Sequence, residues 1–348
     1  MSESCGHFYF TQPVEPLFVI ALYYIGDKLL VMFAIEKVQH NGFDKILLTD
    51  NASQSRVEIV PGCGAMLHAF TVHDGKEAIN IIDSYDNKTA FDENAEVNGF
   101  KGLKLSPFPC RIPNAVYRFN NRQYHFNNFL LNGSAIHGLL YKQPFRLVQE
   151  QATENFAGIS VLYEYKGEDA GYPFPYDCII DYRLEKENTL SITTVIKNTA
   201  TSALPIADGW HPYFTFGGKV DDLELQFQSQ EALEFINLIP SGKILPYTAF
   251  SSPARIGETA LDNSFVLDFS QEQPMCILRD PATGWQLEIR TDESYPYLQI
   301  YIPPHRKSIA IENLSAPPDS FNNGIGLITL AAGASTRFFT QYAVRKEL

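Results

Sequence analysis

Between Thr189 and Asn198 the chain reads TLSITTVIKN. Leu190, Ile192, Thr194 and Ile196 fall at every second position, with Ser191, Thr193, Val195 and Lys197 between them. A period of two is the signature of a half-buried β-strand, whose side chains point alternately to opposite faces. KILLTD, RVEIVPG, VYRFNNRQYHF, GISVLYEY and DCIIDYRL are also short and β-rich, and turn residues separate them. FNNRQY and LEKENTL supply polar hairpin connections. No long helical stripe, heptad or repeat of roughly 20–50 residues competes with this pattern. The expected fold class is all-β, a large antiparallel β-sandwich.

Length alone suggests two domains, because the chain has 348 residues. Large sandwiches often run this long as one unit, however, and no linker divides the sequence after Met32. Hydrophobic residues are 45% and charged residues 19%, so the chain is globular. Its 25 Phe and 18 Tyr suit pleated surfaces. A net charge of −13 repels a phosphate backbone, which argues against nucleic acid and favours a neutral small-molecule partner. Cys5, Cys63, Cys110, Cys178 and Cys276 are scattered, odd in number and free of any CxxC pair. A reduced, cytoplasmic protein is the simplest expectation. His68 and His73 lie close together but lack further ligands nearby, and no HExxH or HxH occurs, so no metal is expected. The sequence carries no indication of oligomeric state.

The run LFVIALYYIGDKLLVMFAI, Leu17 to Ile35, is very apolar. As a membrane span it fails at Asp27 and Lys28, each costing about 2.5–3.5 kcal/mol near a bilayer centre. It also lacks the basic start and the cleavage site of a signal peptide. Two readings remain: a hairpin turning at Gly26-Asp27, or a true start at Met32. Either way residues 1–31 are expected to be a non-catalytic extension and residues 32–348 a single catalytic domain.

Three stretches gather unusual groups at expected strand ends. LSPFPCRIPNAVYRF and NGSAIHGLLY bring Arg111 and His137. GEDAGYPFPYD and ADGWHPYF bring Tyr172, Asp208, Trp210 and His211. LDNSF and IAIENLSAPPDSFNNG bring Asp262, Glu312, Asp319 and Asn322. None matches a phosphate loop, a GxSxG elbow or a dinucleotide fingerprint. Glu312 ends an apolar strand, and a buried carboxylate is costly unless it is paired or put to use. Each residue also has a plain structural reading. His211 fits a packed aromatic strand, Glu312 a buried pair, His137 a strand end, and Asp319 and Asn322 a turn. Asp208 fits a turn cap, GYPFPYD a rigid proline loop, and His125 and His305 ordinary surface or strand positions.

Taken in order, these blocks resemble the aldose 1-epimerase (galactose mutarotase-like) family, from about ILLTDNASQSRVEIVPGCGAML to the carboxyl end. PFPCRI resembles the family's Pro-rich segment ending in Asn-Arg-Ile, with Cys110 where the asparagine usually stands. AIHGLLY is similar to its His-Gly block, GWHPYF to its His-x-Tyr-Phe block and LDNSF to its short Asp motif. IENLSAPPDSFNNG is similar to its Glu-containing terminal motif, and GYPFPYD to a Gly-Tyr/Phe-Pro segment. PNAVY replaces the usual glycine-containing turn. The resemblance implies the family's supersandwich fold and anomer exchange on a free hexose such as galactose or glucose. It implies His211 as general acid and Glu312 as general base. Arg111, His137 and Asp262 are implied as sugar ligands, and Trp210, Tyr172 or Phe174 as a flat surface for sugar C–H groups.

This chemistry requires a base for the C1 hydroxyl and an acid for the ring oxygen, with no cofactor. A carboxylate of reference pKa about 4.3 and an imidazole near 6.5 meet it. Glu312 near His211 is expected to raise the imidazole's pKa. Three alternatives stay open. A hexose-6-phosphate mutarotase would use Arg111, Lys104, Arg118 and Arg122 as a phosphate cradle. A sugar-binding protein would have no turnover. A glycosidase would use Asp262 and Glu312.

Overall fold

On the strand Thr189–Asn198, Leu190, Ile192, Thr194 and Ile196 are buried, as their spacing requires. That strand belongs to a nine-stranded sheet of the protein, seen here as a computed structural model that describes residues 19–25 and 28–347. The sheet runs, from edge to edge, Arg146–Ala152, Phe156–Tyr165, Tyr176–Glu185, Thr189–Asn198, Ser335–Lys346, Trp285–Thr291, Cys276–Arg279, Glu224–Phe227 and Ala254–Arg255. A second large sheet runs Ile239–Pro246, Glu231–Ile236, Asp262–Val266, Tyr297–Tyr301, Ile309–Leu314, Gly209–Trp210 and Lys104–Leu105. A six-stranded meander, from Val19–Ile25 and Lys28–His40 through to Ala78–Asn80, completes the sandwich. Every strand pairing among the described residues is antiparallel, apart from one isolated parallel bridge between Ser106 and Gly138.

The two large sheets face each other across an aromatic core. Tyr182 of the first meets Trp210 of the second, and Tyr342 meets Phe214. Burying such side chains contributes about 1.5–3 kcal/mol each, which is why aromatics dominate the layer. Thr340 donates to the Asn313 carboxamide oxygen across the same layer at 2.8 Å.

The expected hairpins form. Asn120 and Asn121 link Val116–Phe119 to Arg122–His125 with positive φ, the hand that two-residue turns require. In PNAVY, Asn114 and Ala115 adopt the left-handed conformation themselves, at φ of 54° and 57°. The apolar run at the amino end is not a helix. Val19–Ile25 pairs with Lys28–His40, Ile25 opposite Lys28, and Gly26-Asp27 lies outside the described residues. Lys28–His40 continues without a break past position 31 and pairs with Phe43–Asp50. No helix among the described residues is long and apolar enough to cross a membrane.

Candidate active site

The strand Ile309–Leu314 has two partners along one edge. Gly209 pairs with Leu314, and Tyr213 pairs with Ala310. Both pairs share one register, and that register sets His211 opposite Glu312. Pro212 has no N–H to give the ladder, so the chain departs from it at this point. The His211 N–H donates instead to the Leu103 carbonyl, and the Gly102 N–H donates to the His211 carbonyl. The backbone of His211 is thus tied to the Gly102–Leu103 segment. His211 Nε2 lies 3.4 Å from Glu312 Oε1, with both side chains buried.

On the other edge of Ile309–Leu314, Gln299 stands opposite Glu312, and Ser264 stands opposite Gln299. Residues that face each other across strands share a face of the sheet. His211, Glu312, Gln299 and Ser264 therefore form one polar row. The Ser264 hydroxyl donates to the Gln299 carbonyl oxygen, and Gln299 Nε2 donates to Asp262 Oδ1 at 3.0 Å. These bonds set the orientation of the Gln299 amide.

The wall opposite the sheet comes from the loop around Arg111 and His137. Arg111 pairs with Ile136 in a short ladder, and Asp319 donates its N–H to the Arg111 carbonyl at 2.7 Å. The Cys110 N–H donates to His137 Nδ1 at 3.1 Å, and the His137 N–H donates to the Cys110 carbonyl at 2.7 Å. A lone pair at Nδ1 leaves the proton of the neutral ring on Nε2. The His137 ring lies edge-on to His211 at 5.1 Å and to Phe100 at 4.5 Å. Together these groups line a cavity of about 260 Å³ that holds His211, Glu312, Arg111, His137, Asp262 and Gln299. Tyr213, Tyr301, Phe235 and Leu238 add its less polar surface.

Burial controls the ionisation here. It pushes the Glu312 carboxyl well above the usual carboxylate range, and the charge of Asp262 adds to the effect. It pulls the His211 imidazole down to about 3. His137 is also pulled well below its ordinary value by burial, with His211 and Arg111 acting in the same direction. Asp262 reaches solvent at the mouth, yet the protein crowding its carboxyl raises its pKa, with Arg111 and Gln299 opposing. The expectation that Glu312 would raise the imidazole's pKa is therefore corrected: burial lowers it, and only a backbone hydrogen bond opposes. Burial thus disfavours the charged form of both groups.

Five of the residues implied by the sequence as site residues thus meet in one cavity, and three, Trp210, Tyr172 and Phe174, do not. Trp210 is adjacent to His211 and so points to the opposite face of its strand, into the core against Tyr182 and Lys104. Tyr172 is fully buried and donates its hydroxyl to the Pro205 carbonyl at 2.6 Å. Phe174 packs on Tyr124 and Tyr172, away from the cavity. Tyr213, two residues after His211, is the flat neighbour in fact: the rings stack at 5.2 Å and 9°. Its same-face spacing was the available signal. Gln299 was missed because YLQIY gives no hint of its partner across the sheet.

The phosphate cradle does not assemble. Lys104 is fully buried and paired with Asp208, which is itself no turn cap but the centre of a core cluster. Arg118 and Arg122 lie exposed on the Val116–His125 hairpin. His68 is engaged by Lys45, Glu58 and the Tyr85 carbonyl, outside the cavity. No group of three potential metal ligands occurs among the described residues. A larger hollow of about 560 Å³ lies on the face of the first large sheet, but Ser160 with Asp181, and Gln341 with Ser191 and Glu185, satisfy one another there.

The sequence profile of the aldose 1-epimerase family matches residues 44–343. The chain belongs to the aldose 1-epimerase family. It is 28% identical to the uncharacterised protein YihR of Escherichia coli K12 over 254 residues, covering 70% of this chain and 80% of YihR. Its fold is similar to a galactose mutarotase-like protein of Clostridium acetobutylicum, with a TM-score of 0.77 and 16% identity over 90% of this chain and 98% of that one. It is also similar to the galactose 1-epimerase of Lactobacillus acidophilus NCFM, with a TM-score of 0.73 and 17% identity over 97% and 100%. Among family members the mutarotase-like sandwich expected from the sequence is thus the shared architecture.

Proposed function

We propose that the protein interconverts the α and β anomers of a free hexose such as galactose or glucose, with His211 and Glu312 as the acid–base pair. The observation that carries this reading is the 3.4 Å approach of two buried titratable groups at the floor of a sugar-sized cavity. One group of the pair takes the proton of the C1 hydroxyl while the other gives a proton to the ring oxygen. The C1–O5 bond breaks as C1=O1 forms. Rotation about C1–C2 presents the other carbonyl face, and the reverse transfers close the ring. The pair ends with the proton count it began with, so no further reactant is consumed.

Glu312 as base and His211 as acid require a carboxylate beside an imidazolium, the charged form that burial disfavours in both groups. A bound sugar brings hydroxyl dipoles into the cavity and lowers the penalty on that charged form. Arg111, Asp262 and the Nε2–H of His137 are the groups placed to hold other hydroxyls, which would orient O1 and O5 toward the pair. The stacked Tyr213 ring limits the motion of the imidazole.

Polarimetry on freshly dissolved α-galactose and α-glucose tests the proposal. The parent protein should accelerate the approach to equilibrium. His211→Asn and Glu312→Gln should stay folded and each lose about 10²–10⁴-fold in rate, the usual contribution of one positioned proton transfer. Unchanged rates in both variants would remove the mechanism.

A further inference from the structure

Four strands order the cavity from one end to the other. Ile309–Leu314 carries Glu312, Tyr297–Tyr301 carries Gln299 and Tyr301, Asp262–Val266 carries Asp262, and Glu231–Ile236 carries Phe235. Neighbouring strands lie about 4.8 Å apart, so Phe235's strand is roughly 14 Å from that of Glu312. The lining changes along this path. It begins with titratable groups, passes through Gln299 and Asp262, and ends on Phe235 and Leu238, with Tyr301 alongside.

Leu238 shares a positive φ with three other non-glycine residues of the cavity lining, Phe100, Cys110 and His137. Ile236 pairs with Ile239, leaving Asn237 and Leu238 as a two-residue turn with φ of 53° and 64°. Turns of this hand favour Asn-Gly because both central residues need positive φ. Asparagine tolerates the first position, whereas a leucine at the second is an outlier. Strain of this kind concentrates at ligand clamps, where the side chain has a task that glycine could not perform. The side chain is also 41% exposed, so it is not retained for the core.

The His211–Glu312 pair must face the O5–C1 edge of a pyranose. The opposite edge, C3–C4, then points along the row toward Phe235 and Leu238. We propose that Leu238 is a specificity-determining residue, held in a disfavoured conformation so that its side chain meets an apolar substituent at C3 or C4 of the sugar. The substrate class is a free hexose alkylated on that edge, and a bare hydroxyl there faces hydrocarbon. This inference rests on the epimerase reading of the same cavity.

The test compares kcat/KM for anomer exchange on glucose, galactose, 3-O-methylglucose and 4-O-methylglucose, for the parent chain and Leu238→Gly. At least one methyl ether should exceed glucose by about tenfold, the scale of one methyl group in an apolar pocket. In Leu238→Gly that ratio should collapse toward one while Tm rises, because Asn-Gly relaxes the turn. A contact that only supports the fold would lower Tm and leave the ratio alone, and that result overturns the proposal. So does equal kcat/KM for glucose and both ethers in the parent. Turnover without discrimination overturns this inference only. Absence of turnover on all four sugars overturns the epimerase reading, and this inference with it.

Discussion

Nε2 of His211 stands 3.4 Å from Oε1 of Glu312, and burial moves the two groups in opposite directions. The pair gains a second proton only near the lowered His211 value of about 3, and it loses its one proton only above the raised Glu312 value. Between those limits it holds a single proton, the state that mutarotation needs. The dependence of kcat/KM on pH, which reports the free enzyme, should therefore show no acid limb where an ordinary histidine titrates. Polarimetric rates corrected for the spontaneous reaction measure it. An acid limb with its midpoint at about 6.5, the ordinary value, would contradict the arrangement.

Glu312→Gln should stabilise the protein, and more so as pH rises. In the parent, the unfolded chain releases the Glu312 proton near pH 4.5 while the folded chain keeps it until its raised pKa. Folding stability therefore falls through that window by about 1.4 kcal/mol per pH unit for this one group. Glutamine has no such dependence. Chemical denaturation at several pH values should show the gap between variant and parent widening upward from about pH 5. A constant gap would mean that the carboxyl titrates normally in the folded state.

Much of this site was legible because its residues sit in short local blocks. His211 in GWHPYF and Glu312 in SIAIENL could be named before any coordinates, since an imidazole among aromatics and a carboxylate ending an apolar strand both ask for a reason. What escaped was the information that lies between strands. Gln299 faces Glu312 only through a register set by hydrogen bonds of separate segments, and Leu238 enters the cavity only because a hairpin brings it there. Trp210 was misread for the simplest cause: neighbours in a strand face opposite ways, so the residue beside His211 is excluded and the residue two further on is included. The ionisation was misread because sequence shows that two charges can meet but not how little water accompanies them.

Gly138 follows His137, and its requirement for glycine is steric. At φ of +78°, a Cβ there would lie 2.1 Å from the Ser106 carbonyl oxygen and 2.3 Å from its carbon. Both are backbone atoms, which cannot swing aside. Gly138→Ala should cost about 3 kcal/mol or more, in the upper range for single substitutions, and should displace His137 from its paired bonds with Cys110. Thermal unfolding together with the His137 ring resonances would measure both effects. A parent-like Tm would show that the loop between Ser106 and Gly138 yields easily.

Lys104 and Asp208 form an ion pair with both side chains fully buried, just behind the backbone that presents His211. Asp208 Oδ1 also accepts from Tyr295 at 2.6 Å, and the Lys104 ammonium reaches Thr194 and sits 4.4 Å from the Trp210 ring centre. The pair clamps Gly209–Trp210 onto Lys104–Leu105, and the next contact of that ladder is the bond from His211 to Leu103. Lys104→Met alone leaves a buried carboxylate without its counter-ion and should cost about 3–5 kcal/mol. The double variant Lys104→Met, Asp208→Leu removes both charges and should recover most of that loss, since buried pairs are often no more stabilising than hydrocarbon of similar volume. Recovery of activity should be smaller than recovery of stability, because the apolar replacement fills the space without fixing the strand that carries the imidazole. Denaturant midpoints and kcat measured on the two variants separate these effects. Full return of kcat in the double variant would show that packing alone aligns His211, and that the charges are dispensable to the reaction.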